Sequence, residues 1–332
     1  MQNMTINAGP AWYKEYNVKK IISLSFVIML ALVSCLDFEA LIKNPGTQQA
    51  RVAGPAVGHP HFKAYNDPVK FKKNPSASSC FAGELAEESK MNVLDLLNYV
   101  RKLHGLGPVT YNYANDIYAQ KGAFLIALNG AMSHNPPKTW RCWSDEAFKG
   151  CSSSDIIGGT TAPFTPCQAV MYWLTDTGVE SLGHRRWILS PFLKTVAYGQ
   201  AVVNGRYGGT LMVIGDKHQN ARTDFVAYPF REYPVLLFDM NWYLSFSVIQ
   251  DRTNSWNNQG VNFSAAKITV TAESGKNLSI RSQKHDNQGF GVPNLLAWKV
   301  NGLRKGVRYT VTVQNVKTKD GQKDYEYWFM IK

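Results

Sequence analysis

No Cys-x-x-Cys pair and no His-Glu-x-x-His motif occurs in the 332 residues, so no short-spaced metal or redox site is written into the chain. Recognised nucleic-acid-binding motifs are absent too. The basic residues are dispersed rather than gathered into a stripe, which argues against a nucleic-acid partner. The apolar run Ile21–Val33 falls short of the roughly 20 residues that a mature bilayer span requires. Charged residues make up only 18% of the chain, and acids are the scarcer sign, with 24 Asp and Glu against 36 Lys and Arg. The resulting formal charge of +12 suits anionic surfaces such as wall polymers or lipid headgroups; the plainer reading is an inert basic surface. At 45% apolar residues the chain can bury a core, and its length predicts two domains.

What is present begins with Lys19 and Lys20 ahead of that apolar run, which closes in Leu32-Val33-Ser34-Cys35. This order reads as a signal peptide over residues 1–34. Its last four residues resemble a bacterial lipobox, which would leave Cys35 as a lipidated first residue and a membrane anchor. The expected location is therefore extracellular or at the cell surface. Past Cys35 stand Cys80, Cys142, Cys151 and Cys167, an even number that suggests two disulfides in an exported protein. Cys142 and Cys151 flank a polar loop and are expected to pair, leaving Cys80 with Cys167.

Residues 35–79 are rich in Pro, Gly, Lys and Asn without periodicity, and read as a linker or tether. A helix is predicted from near Phe81, with Leu85, Val93, Leu96, Leu97, Val100 and Leu103 on one stripe and Gly105 and Gly107 stopping it. A second helix is predicted over Tyr113–Asn129, and a third over Cys167–Thr175 behind Pro166. The stretch from Pro136 to Pro166 reads as loop. Strands Thr195–Val203 and Thr210–Ile214, separated by Asn204-Gly205, suggest a hairpin. Together these predict a mixed α/β unit over 80–225. From 226 to 332, short β-rich runs recur between turn residues, as in an all-β sandwich. Leu303 to Tyr309 resembles the tyrosine corner of fibronectin-type sandwiches.

Two histidines stand out by context. His134 follows Ser133 before Asn135-Pro136-Pro137, and His184 lies in Gly183-His184-Arg185-Arg186-Trp187-Ile188-Leu189-Ser190-Pro191. With Leu97 to Arg101, His104 to Val109, Ala127 to His134, Trp173 and Val196 to Gly199, these segments resemble the CAP superfamily. That superfamily comprises cysteine-rich secretory proteins, antigen 5 and pathogenesis-related proteins, and the likeness here is to its bacterial SCP-like type. It covers residues 92 to about 214, and Tyr228-Pro229 and Trp242 to Phe246 resemble a tail appended to some members. It implies an α-β-α sandwich followed by an Ig- or fibronectin-like sandwich, and a site of two histidines and two acids. His134 and His184 match the histidine positions. Asp176 stands where the family usually has glutamate. The second acid falls at Ser153-Ser154-Asp155, where strict register places Ser154 and offers Asp155 as neighbour; Glu180 is a further substitute.

Several chemistries are open to such a set. Two imidazoles and a carboxylate can hold Zn²⁺ with an open position, making His134 and His184 metal-ligand candidates and Asp176 or Asp155 a candidate general base. Alternatively the polar side chains satisfy one another and tie three segments together. Ser133 beside His134 is a weak nucleophile candidate, since adjacent residues rarely face each other. Arg185 and Arg186 suggest an anion site or, more ordinarily, one arginine bridging a carboxylate and one solvated. His59, His61, His218 and His285 read as surface residues, and His104 as a cation at a helix end. Trp140, Trp143, Trp173 and Trp187 read as core, or as an aromatic groove for a sterol, acyl chain or glycan. The favoured function is a secreted or surface-anchored, non-catalytic binding module for lipid, glycan or wall component. The alternatives are a zinc hydrolase using the same residues and a structural surface or adhesion protein.

Overall fold

The computed structural model of the protein describes residues 60–332; the expected signal peptide, Cys35 and His59 lie outside the described residues. The chain enters along β1 (Phe71–Lys73), which pairs with β2 (Glu84–Leu85). Residues 60–79 are packed rather than a loose tether. Phe62 and Tyr65 are buried in the core, Tyr65 donates its O–H to Met171 Sδ at 3.0 Å, and its carbonyl accepts from Thr165 Oγ1 at 2.6 Å. Two aromatic anchors are enough to hold a segment whose composition carries no periodic signal.

Helix α1 (Glu87–Leu103) has Glu87 and Glu88 in its first turn and Arg101 and Lys102 in its last, as the helix dipole favours. Its Val93, Leu96, Leu97 and Val100 form the buried stripe. The short β3 (Thr110–Tyr111) leads through a 3₁₀ turn to α2 (Asp116–Asn129), most of which is buried. Next come α3 (Asp145–Ser152), β4 (Ser154–Thr160), α4 (Pro166–Thr175), α5 (Gly183–Ile188) and the hairpin β5 (Thr195–Val203) and β6 (Arg206–Met212). The hairpin turns at Asn204 and Gly205, both with positive φ.

These strands form one sheet in the order β3-β5-β6-β4. The period-two alternation of β5 decides its two faces. Val196 and Tyr198 join the core with Val100 of α1 and Val170 of α4, while Ala201 and Val203 pack with Ala123 and Ala127 of α2. Glycine lets α2 lie directly on the hairpin, since a Cβ at Gly199 or Gly208 would stand 2.3 Å from the carbonyl oxygens of Ala119 and Ala123. The result is helices on both faces of a sheet, the α-β-α arrangement expected. The stretch 136–166, read as loop, contains α3 and β4. Ser144 caps α3 by accepting the Ala147 N–H, and β4 takes its order from antiparallel pairing with β6 rather than from its own Ser- and Gly-rich sequence.

The second unit is all β. One sheet runs β11 (Ile280–Asp286), β12 (Leu295–Val300), β9 (Leu244–Val248), β7 (Phe225–Tyr228). The other runs β10 (Lys267–Ala272), β13 (Arg308–Thr318), β14 (Gly321–Ile331), β8 (Arg231–Tyr233), with only β14 and β8 parallel. The sheets meet through aromatic contacts, Phe246 stacking on Tyr327 at 6.0 Å and Phe225 lying edge-on to Tyr325 at 6.0 Å. Tyr309 forms the corner suggested by sequence, its hydroxyl accepting the Arg304 N–H at 2.8 Å. One continuous core crosses from the first unit to the second, joining Val100 and Leu106 to Tyr228, Tyr233 and Leu237. No helix among the described residues is long and apolar enough to cross a membrane.

The cysteines pair differently from the expectation. Cys80 bonds Cys142, with Cα atoms 5.5 Å apart, and neither Cys142–Cys151 nor Cys80–Cys167 forms. The reason is helical: Cys151 lies inside α3 with its thiol 3.7 Å from Gly122 O, and Cys167 opens α4 with its thiol 3.6 Å from Asn92 O. Both face the core as free thiols, pushed up to about 12 by burial.

Candidate functional site

Helix α4 ends at Asp176, whose φ of 51° puts it in the left-handed region that aspartate tolerates better than most residues. This turn directs the buried carboxylate at α5. Asp176 Oδ1 lies 2.7 Å from His184 Nδ1, and Oδ2 accepts the Arg185 N–H at 3.2 Å. His134, on the segment following α2, is fixed from another direction: its Nδ1 lies 3.0 Å from the Cys151 carbonyl at the end of α3. A carbonyl can only accept, so this nitrogen carries the proton and Nε2 of His134 is an acceptor. Asp155, on β4, is fully buried, and its Oδ2 has no hydrogen-bond partner.

These four groups share one electrostatic neighbourhood. Burial holds the His134 imidazole down to about 4, opposed by its bond to Cys151 and assisted by the positive charge of His184. Burial alone would also lower His184, but the Asp176 carboxylate, and behind it Asp155, raise it to about 9. Asp155 is pushed well above the ordinary carboxylate range by burial, with His184 opposing and Asp176 reinforcing. Near neutrality His134 is therefore neutral and His184 is an imidazolium hydrogen-bonded to Asp176, while burial favours the uncharged form of Asp155. Neither imidazole Nε2 is hydrogen-bonded among the described residues, and the His184 side chain keeps 11% of its surface exposed. The open valences are one nitrogen acceptor, one N–H donor and one carboxyl oxygen.

As a zinc site the set is incomplete. Each imidazole is oriented through Nδ1, as metal-bound imidazoles usually are. Yet no three metal-ligating side chains converge among the described residues, whereas a hydrolytic zinc takes three protein ligands beside its open position. A metal would also have to displace the second proton of His184 at neutral pH. The residues present do not fit a resident zinc.

The remaining candidates fall elsewhere. Glu180 is exposed and paired with Lys284, away from these side chains' bonds. Ser133 accepts the Asn135 N–H at 3.0 Å, an ordinary turn contact. Ser154 is buried with an unpartnered hydroxyl. Neither arginine is solvated. Arg185 bonds the Leu174 and Thr175 carbonyls of α4, then Tyr243 O at 2.8 Å and Ser245 Oγ at 3.2 Å in the second unit. Arg186 pairs with Asp286 at 2.8 Å and donates to Gln288 O at 2.9 Å and Val292 O at 3.1 Å. His104 is not an exposed helix-end cation. Its Nδ1 donates to Ala227 O at 2.7 Å and its Nε2 accepts from the Tyr233 hydroxyl at 3.0 Å, and burial holds it neutral, down to about 3. His61 and His285 are exposed, while His218 is half-buried. Trp173 is core, donating Nε1–H to Ile156 O at 3.2 Å, and Trp140, Trp143 and Trp187 are half-buried. Two anchors gave no signal in sequence: the Cys151 carbonyl, because any residue has one, and the Arg185 backbone N–H.

Residues 94–215 match the model of the CAP family, described as the cysteine-rich secretory protein family. No curated protein matches the chain significantly. Among solved structures, it is similar to an extracellular protein containing an SCP domain from Bacillus anthracis str. Ames, determined at 1.5 Å. Identity is 16% over 38% of this chain, with a TM-score of 0.27, and the chain spans about 40% of the length of that protein.

Proposed function

We propose that this chain, whose residues 94–215 form a domain of the cysteine-rich secretory protein family, is an extracytoplasmic binding module. Its ligand is an oxygen-rich group, the headgroup of a lipid or a segment of glycan or wall polymer, held between His134 and His184 without turnover. The observation that carries this reading is the set of open valences. A hydroxyl group both donates and accepts, and His184 Nε2–H and His134 Nε2 supply one donor and one acceptor for it. Asp155 Oδ2, in the same electrostatic neighbourhood, is a further buried polar atom without a hydrogen-bond partner.

Turnover has less support. Asp176 is committed to His184 and the Arg185 backbone, Ser133 to its own turn, and zinc lacks a third ligand. The Cys80–Cys142 disulfide suits an oxidising compartment, in keeping with export by the leader at 1–34 and lipid anchoring at Cys35. The charge of +12 favours approach to anionic surfaces. Calorimetric titration with phospholipid micelles and soluble wall-glycan fragments tests the reading. Binding to one class, weakened at least about tenfold (1.4 kcal/mol) in a His134→Ala/His184→Ala variant, is expected; silence across the panel removes it.

A further inference from the structure

We infer that the C-terminal β unit is a working part of this site, with Arg185 and Arg186 as positioning residues that let it aim His184. Helix α5 has only six residues, too few to be stable by itself, and no side chain caps its start. It begins from Leu182, whose φ of 51° is a conformation that leucine rarely adopts. That strain persists only where surroundings impose it, and here the Leu182 side chain is fully buried against Tyr243, Leu295 and Ala297 of the C-terminal unit.

The two residues after His184 reach the same unit. Arg185 links the α4 carbonyls beside Asp176 to Tyr243 O and Ser245 Oγ of the β9 region, with its guanidinium 3.9 Å from the Tyr228 ring centre. Arg186 grips Asp286 of β11 and the loop after it. Gly291 in that loop lies so close to α5 that a Cβ there would stand 2.6 Å from Arg186 O and 2.7 Å from the Trp187 Cα. The residues flanking His184, Leu182 before it and Arg185 and Arg186 after it, are therefore held by groups outside residues 94–215. The rings themselves take their hydrogen bonds from inside that range, His134 from Cys151 and His184 from Asp176. The C-terminal unit thus holds the α5 backbone that carries His184 to Asp176.

The inference rests on the binding reading for its importance, but its test contains no ligand, so the two fail separately. Ring ¹⁵N–¹H spectra of histidine-labelled full-length protein are compared for wild type, Gly291→Ala and Asp286→Asn. Both variants are expected to shift the His184 ring signals and weaken the Nδ1–H signal of its bond to Asp176, while the His134 signals stay in place. Unchanged His184 signals in folded variants that have merely lost thermal stability would overturn it. Should Gly291→Ala not fold, Asp286→Asn decides by the same criterion.

Discussion

His184 Nδ1 and Asp176 Oδ1 stand 2.7 Å apart, joining the start of α5 to the end of α4. The pair explains why a buried imidazole stays charged near neutrality: burial by itself would lower it, and Asp176, with Asp155 behind it, more than offsets that. Asp176→Asn keeps the shape and removes the charge. His184 should then titrate at or below the ordinary histidine value rather than at about 9, as followed by NMR. The variant should also lose about 1–3 kcal/mol in urea unfolding, because a charge-assisted bond is replaced by a neutral one.

Stability should fall on both sides of neutrality, for different residues. The raised value of His184 contributes stability that is complete below about 6.5 and is lost as pH rises through about 9. His134 and His104, depressed to about 4 and about 3, contribute stability that is present above their unfolded value and lost as pH falls toward those values. Melting temperatures measured across pH should plateau near neutrality and decline either way. His184→Gln should flatten the alkaline decline and leave the acid one.

His104 couples the end of α1 to the second unit through Ala227 O and the Tyr233 hydroxyl, between the rings of Tyr228 and Tyr233. His104→Ala removes two buried bonds and opens a cavity, and should cost about 2–4 kcal/mol in denaturant unfolding. If the two units were independent, only one of two separate transitions would move; the continuous core predicts that a single transition shifts.

The outline of the fold was legible where pattern is strong. The α1 stripe from Val93 to Val100, the α4 start behind Pro166, the Asn204-Gly205 hairpin and the Tyr309 corner each rest on local chemistry that survives tertiary context, whereas Leu85, expected on that helix, lies on β2 ahead of it. What was hidden depends on partners distant in sequence. β4 is ordered by β6, the 60–79 arm by Phe62 and Tyr65, and Cys151 and Cys167 are turned inward by helices that no short window reveals. At the site, His134, His184 and Asp176 carried a motif, whereas the burial of Asp155 follows from its place on β4, which its own sequence does not signal. The arginines misled because exposure is the ordinary fate of that side chain, and burial against backbone carbonyls leaves no mark in composition.

The cysteine arrangement makes its own prediction. Native alkylation should leave Cys151 and Cys167 unmodified, and denaturation without reductant should expose those two but not Cys80 or Cys142. Peptide mapping by mass spectrometry reads the result directly. Replacing Cys80 and Cys142 by serine opens a link across a sequence separation of 62 and should cost about 4 kcal/mol in unfolding.

The central claim is that the free Nε2 atoms of His134 and His184 meet one ligand oxygen-bearing group together. The direct measurement is a ¹⁵N–¹H histidine ring titration with phosphate-headgroup micelles and wall-glycan fragments. Concerted, saturable shifts of both Nε2 signals at one ligand concentration, with His104 unmoved, are the result predicted. Saturable binding that leaves both ring signals where they began would contradict the account.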